Sequence, residues 1–173
     1  MLSDEKIIEY VKRWKDKKKV RMYAPIRYFR GLTRMKDVFA RLDTMRRRIK
    51  QARNGESIEK LLSKFKTDTG VKTKSSTWTQ KFHKAYPGVG GKKKDISKAT
   101  GIPVRILNAV YKRGEKAYLT GHRPGATSHQ WGYARMYSFI MRYNKATLTH
   151  DKDLAKQVIE LKDTQRQTES STP

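Results

Sequence analysis

The stretch TGHRPGATSHQW, residues 120–131, holds the side chains best spaced for binding chemistry. Gly121, Pro124 and Gly125 set a compact turn, and Thr127 opens a helix with Gln130 three residues on, the reciprocal capping pattern. His122 and Arg123 then stand just ahead of a helix N-terminus, whose free N–H groups suit a phosphate. Arg135, further along that helix, is placed to reach back, which makes His122, Arg123 and Arg135 a candidate anion site. The competing reading is a conformational staple that holds no ligand.

A second stretch, DISKATGIPVRILNAVYKRG at residues 95–114, reads as two helices around a glycine turn. Asp95 is expected to cap the first helix, Gly101 to make the turn, and Pro103 to open the second, where its missing N–H costs nothing. Ile96, Ile102, Leu107 and Val110 fall where a helix-turn-helix needs apolar groups, while Ser97 and Thr100 depart from that pattern. A DNA-docked unit would present Arg105, Asn108, Lys112 and Arg113 to the groove and its phosphates. The plainer alternative is a helical corner packed inside the fold.

Catalytic chemistry finds little support. His83, His122, His129 and His150 lack the spacing of metal ligands, no nucleophile elbow appears, and no paired acids of the kind that hold Mg²⁺ stand together. GVGGKKK lacks the first glycine of a phosphate-binding loop and has Lys93 where a Ser or Thr is needed. The acids read as caps and surface pairs; a nuclease would have to gather Asp37, Asp68 or Asp95 in space. The expectation is a protein that is not an enzyme, with no catalytic residue, no metal and no cofactor.

These motifs need elements to carry them. Ser3 caps a first helix with Ile7, Val11 and Trp14 on one stripe, ending in Lys17-Lys18-Lys19. Thr33 begins a helix to about Arg53, whose Met35, Val38, Leu42, Met45, Ile49 and Ala52 form a seam expected to pack within the fold. The rest of that helix carries Arg34, Arg41, Arg46, Arg47 and Arg48, read with Lys92, Lys93 and Lys94 as phosphate contacts. Ser57 opens a helix with Ile58, Leu61, Leu62 and Phe65 on one face, and Ser76 precedes a helix with Trp78 and Phe82. A central helix runs from about Ser128 to Arg142, and the last eleven residues, without an apolar side chain, read as disordered. No alternating strand is found. The fold class expected is all-α, with six to eight short helices and a helix-turn-helix-like corner at 95–114. A basic N-terminal helix and linker would occupy 1–24, a helical domain 25–160, and a polar tail 161–173.

The 173 residues hold 41 Lys and Arg against 16 Asp and Glu, a net charge of +25. Phosphate is the commonest polyanion able to neutralise such an excess. Membrane insertion is not expected, because no apolar run approaches the roughly 18 residues a spanning helix needs. The absence of cysteine excludes disulfides and thiolate metal sites.

In order along the chain, RYFRGL, SSTWTQKF, TGIPVRILNAVYKRG, AYLTGHRPGATSHQWGYARMYSF and DKDLAKQV resemble a domain of unknown function. That domain recurs in proteins of large double-stranded DNA viruses, among them viruses of algae and protists and marine tailed phages. The resemblance covers about residues 25–158 and implies a viral source, with location in the virion and in the host cell interior during assembly. It implies no activity. The function expected is a structural or packaging-associated basic protein that binds the phosphates of the double-stranded viral genome, largely without sequence preference. Two alternatives are a minor capsid or inner-shell protein contacting acidic capsid proteins, and a helix-turn-helix regulator reading DNA sequence.

Overall fold

The computed structural model describes residues 1–63 and 65–170. Among them are eight α-helices, two short 3-10 turns and no strand, so the protein is all-α as its periodicities predict. No helix among the described residues is long and apolar enough to cross a membrane. The chain divides into two units: residues 1–74 with 115–131, and residues 75–114 with 132–173.

In the first unit, Ser3 accepts the Lys6 N–H and α1 (Asp4–Lys18) follows, with Asp4 and Glu5 at its start and lysines at its end. Its buried stripe of Ile7, Val11 and Trp14 joins Val38, Leu42 and Met45 of α2 (Met35–Arg53) in one core. Trp14 Nε1 donates to Asp43 at 3.2 Å, giving the indole its polar partner. Helix α1 is thus part of this unit. The α2 seam packs internally, and the helix opens two residues later than Thr33 suggests.

Helix α3 (Ile58–Leu61) is a single turn, shorter than the spacing of Ile58, Leu61, Leu62 and Phe65 implies. Phe65 lies beyond it in extended backbone and is nonetheless buried. Arg48 accounts for the difference: its Nη2 takes both the carbonyl and the hydroxyl oxygen of Ser63, drawing that backbone away from the helical pattern. The 120–126 turn closes over the 71–73 backbone. Gly125, with φ of 79°, lies so close that a Cβ would meet the Val71 carbonyl oxygen at 2.3 Å, so only glycine fits.

In the second unit, α4 (Thr77–Ala85) is capped by Ser76, and its Phe82 stacks on Tyr137 with centroids 4.2 Å apart. Helix α5 (Lys93–Thr100) and α6 (Val104–Tyr118, the part up to Gly114 in this unit) meet at Gly101-Ile102-Pro103. They pack with α7 (Ser128–Ile140, the part from Gly132) and α8 (Lys152–Ser170) around Ile96, Ile106, Leu107, Val110, Met136 and Val158. The expectation that the helix from Ser128 is central holds: Met136 through Ile140 are all buried.

The polar tail is helical as far as Ser170, where disorder was expected; residues 171–173 lie outside the described residues. Leu154, Ala155 and Val158 dock the start of α8 in the core, and propagating a formed helix costs far less than nucleating one. Local contacts continue it, including Thr164 Oγ1 to the Glu160 carbonyl and Arg166 to Asp163.

Candidate nucleic-acid interface

The α5–α6 corner folds as two helices joined through a glycine turn. Gly101 is left-handed, at φ of 68°, and its N–H returns to the Ser97 carbonyl at 2.8 Å. Ile96, Ile102, Leu107 and Val110 are fully buried. Thr100, one of the two departures from the pattern, is buried as well, and its hydroxyl donates to the Ile96 carbonyl and accepts the Ile102 N–H. The polar residue therefore ties the turn from inside. Lys162 Nζ of α8 takes the Thr100 carbonyl at 3.0 Å, satisfying an acceptor at the α5 terminus. Asp95 is the third residue of α5 and not its cap; Lys92 holds the cap position and gives no side-chain bond. Helix α6 opens one residue after Pro103, whose carbonyl accepts from Ile106 and Leu107.

The outward sides of these helices are basic. Lys94 and Lys98 are exposed on α5, Arg105 and Lys112 on α6, and Asn108 between those two is half-buried. Arg105 Nη1 donates to Gln157 Oε1 at 3.1 Å, a neutral acceptor that leaves its charge unbalanced. Lys92 is exposed, whereas Lys93 is half-buried with Nζ 3.7 Å from the Tyr111 ring centroid. Tyr133 Oη donates to the Gly91 carbonyl at 2.7 Å and fixes the loop carrying them. From Thr77 to Tyr118 the only acids are Asp95 and Glu115.

Arg113, expected on DNA phosphates, and Arg135, expected at a bound anion, face the protein's own carboxylates instead. Arg135 makes two bonds to Asp151, at 2.8 and 3.0 Å. Arg113 reaches Asp151 at 3.0 Å and Asp153 at 2.8 and 2.6 Å. These bonds hold Asp153 down to about 2 and raise Arg113 above its ordinary value, so both groups keep their charge. Asp151 is buried and left-handed, at φ of 62°, and its carbonyl starts α8 by accepting from Leu154 and Ala155. Two charged partners oblige a strained, buried residue to stay there. Replacing Asp151 with Asn is expected to cost about 1–3 kcal/mol in chemical denaturation, because hydrogen bonds to charged groups are lost.

In the first unit, Arg46 and Arg47 are exposed as expected, and Arg34 is exposed but bonded twice to Asp37. Arg41, Arg48 and His122 must be withdrawn from the binding surface. Arg41 and His122 are 0 % exposed and Arg48 is 5 % exposed. Arg41 pairs with Asp68 through Nη1 and gives Nη2 to the His122 carbonyl at 2.7 Å. His122 Nε2 meets the other Asp68 oxygen at 2.8 Å, its ring stacks on Tyr118 at 3.6 Å, and Nδ1 faces the Tyr118 carbonyl at 3.3 Å. The guanidinium carbons of Arg41 and Arg48 lie 4.5 and 4.1 Å from the Phe65 centroid. The capping box is present, Thr127 and Gln130 bonding each other at 3.0 and 3.1 Å, and Arg123 is exposed beside it. His122 is thus inside its own unit, and Arg135 is committed to Asp151 in the other, so neither side chain stands free.

Charge in this cluster follows from burial. Burial pushes the His122 imidazole down and Arg41 adds to this, against the bond from Asp68, so folding favours the neutral ring; Nε2–H donates, since the carboxylate can only accept. Burial pushes Asp68 up, but the His122 bond and the Arg41 charge outweigh it and hold the carboxyl below its usual value. A histidine whose pKa is lower folded than unfolded contributes stability that is complete above 6.5 and is lost as the pH falls below it. Thermal midpoints are therefore expected to fall between about pH 7.5 and pH 5, and His122→Gln to flatten that slope.

Residues 25–158 match the model of a family of unknown function, DUF5824. The chain belongs to DUF5824. No curated protein and no solved structure matches it. The DUF5824 span holds the α5–α6 corner, the 120–127 turn and Asp151, and begins after α1.

Proposed function

We propose that this chain is a viral structural or packaging-associated protein that binds duplex DNA through phosphates, largely without sequence preference. The observation carrying this reading is the row of exposed cations on α5 and α6, Lys94, Lys98, Arg105 and Lys112, in a stretch of chain with two acids. Fixed helices hold these charges, while their flexible side chains adapt to phosphates at varied register. The viral setting rests on the resemblance of the TGHRPGAT and QWGYAR blocks.

A base-reading role is the second interpretation, favoured by Arg105 and Lys112 flanking Asn108 on one outward side of α6. Arg and Asn are the side chains that pair bidentately with guanine and adenine. Titration of a mixed-sequence duplex in low salt, followed by selection from a random DNA pool, tests both. Tight binding with no enriched motif supports the structural reading. An enriched motif whose preference relaxes in Arg105→Ala and Asn108→Ala, at about 1–3 kcal/mol each, supports the reader. No binding in low salt removes DNA as the direct partner.

A further inference from the structure

A cleft of about 450 Å³ opens in the second unit where the segment after α7 meets the first turns of α8. Ile159, a large apolar side chain that is 41 % exposed, supplies its open aliphatic surface; Leu148 and Ala155 also line it but are themselves buried in the core. Lys145, Lys152 and Lys156 surround them, all exposed. The one acid there, Glu160, stands 3.8 Å from Lys156 with both groups well exposed, a pair too weak to retain the lysine against a competing carboxylate. The opposite side of α8 is already used, with Leu154 and Val158 in the core and Gln157 on Arg105.

We infer that this cleft docks an acidic, amphipathic segment of a partner protein, whose aliphatic side packs on Ile159 while its Asp and Glu meet the three lysines. Charge complementarity selects the acidic flank, and the exposed Ile159 selects the aliphatic face. A nucleic acid suits it less well. Tyr143 is the one aromatic ring in the lining; Lys162 Nζ lies 5.2 Å from its centroid and bonds its hydroxyl, and Phe139 packs on it at 6.2 Å. A stacking platform needs a free ring face. Duplex DNA keeps its apolar surface inside the stack and would meet only the lysines.

The test is selection of peptides of about 16 residues, long enough for an amphipathic helix, from a random displayed library on the full chain. Enriched peptides should combine Asp or Glu with aliphatic residues at helical spacing. Their affinity should fall tenfold or more in Ile159→Ser, which removes the anchor without changing charge, and fall again in Lys152→Gln and Lys156→Gln. Thermal midpoints of these surface variants report whether the fold is kept, and the lysine variants stand alone if Ile159→Ser is impaired. Three results overturn the inference: no enrichment, equal binding to wild type and Ile159→Ser, which would reduce the effect to net charge, or displacement of the peptides by duplex DNA. This inference does not depend on DNA binding, because duplex affinity of the same variants is measured separately.

Discussion

Replacing Asp68 with Ala is expected to lower the unfolding free energy by about 3–5 kcal/mol, since it leaves a buried charge without its partner. Arg41 has no access to solvent, and Asp68 is its charged partner while also accepting from His122. Truncation strands the guanidinium in the core and removes the bond that orients the imidazole. A loss of that size approaches the whole stability of many domains, about 5–15 kcal/mol, so partial unfolding at physiological temperature is expected. Adding Arg41→Met should recover part of the loss, because no charge is then buried alone. Arg46→Ala and Arg47→Ala, on the exposed side of the same helix, should leave the urea midpoint unchanged. Equal midpoints for Asp68→Ala and wild type would show that the cluster does not hold this unit together.

The second large effect concerns salt. Each phosphate met by a Lys or Arg releases condensed counterions, so the logarithm of affinity falls linearly with the logarithm of salt concentration. If the protein meets six to ten phosphates, duplex affinity should drop by about 10³–10⁵ between roughly 50 and 200 mM salt. The net charge of +25 and the exposed α5 and α6 cations motivate that range. Fluorescence anisotropy across a salt series measures it. A flat response would assign the charge to another partner, and acidic proteins would come first.

The helices were legible where local chemistry decides them. Ser3 and Ser76 cap as their types predict, Gly101 turns the chain, and the Thr127–Gln130 box closes as the spacing requires. The site was harder to read, because arginine does not announce whether it is a surface charge or a core group. Arg41 and Arg48 are one heptad apart and lie on the arc of α2 that carries Val38 and Met45, so helical angle alone placed them beside the seam. Their partners come from distant positions, Asp68 and the Ser63 and His122 carbonyls, which no local pattern reveals. The same holds for Arg113 and Arg135, brought onto one carboxylate by Asp151. Basic residues with remote partners are committed within the fold, while Lys94, Arg105 and Lys112 stay exposed.

The most direct test of the account is the salt slope of duplex binding for a Lys94→Gln, Arg105→Gln, Lys112→Gln variant against wild type. Three lost phosphate contacts should reduce the slope by about 2–3, at about 0.9 per contact, and weaken low-salt binding evenly across unrelated sequences. The thermal midpoint should stay where it is, because all three side chains are exposed. An unchanged slope with wild-type affinity would contradict the account and move DNA contact away from α5 and α6.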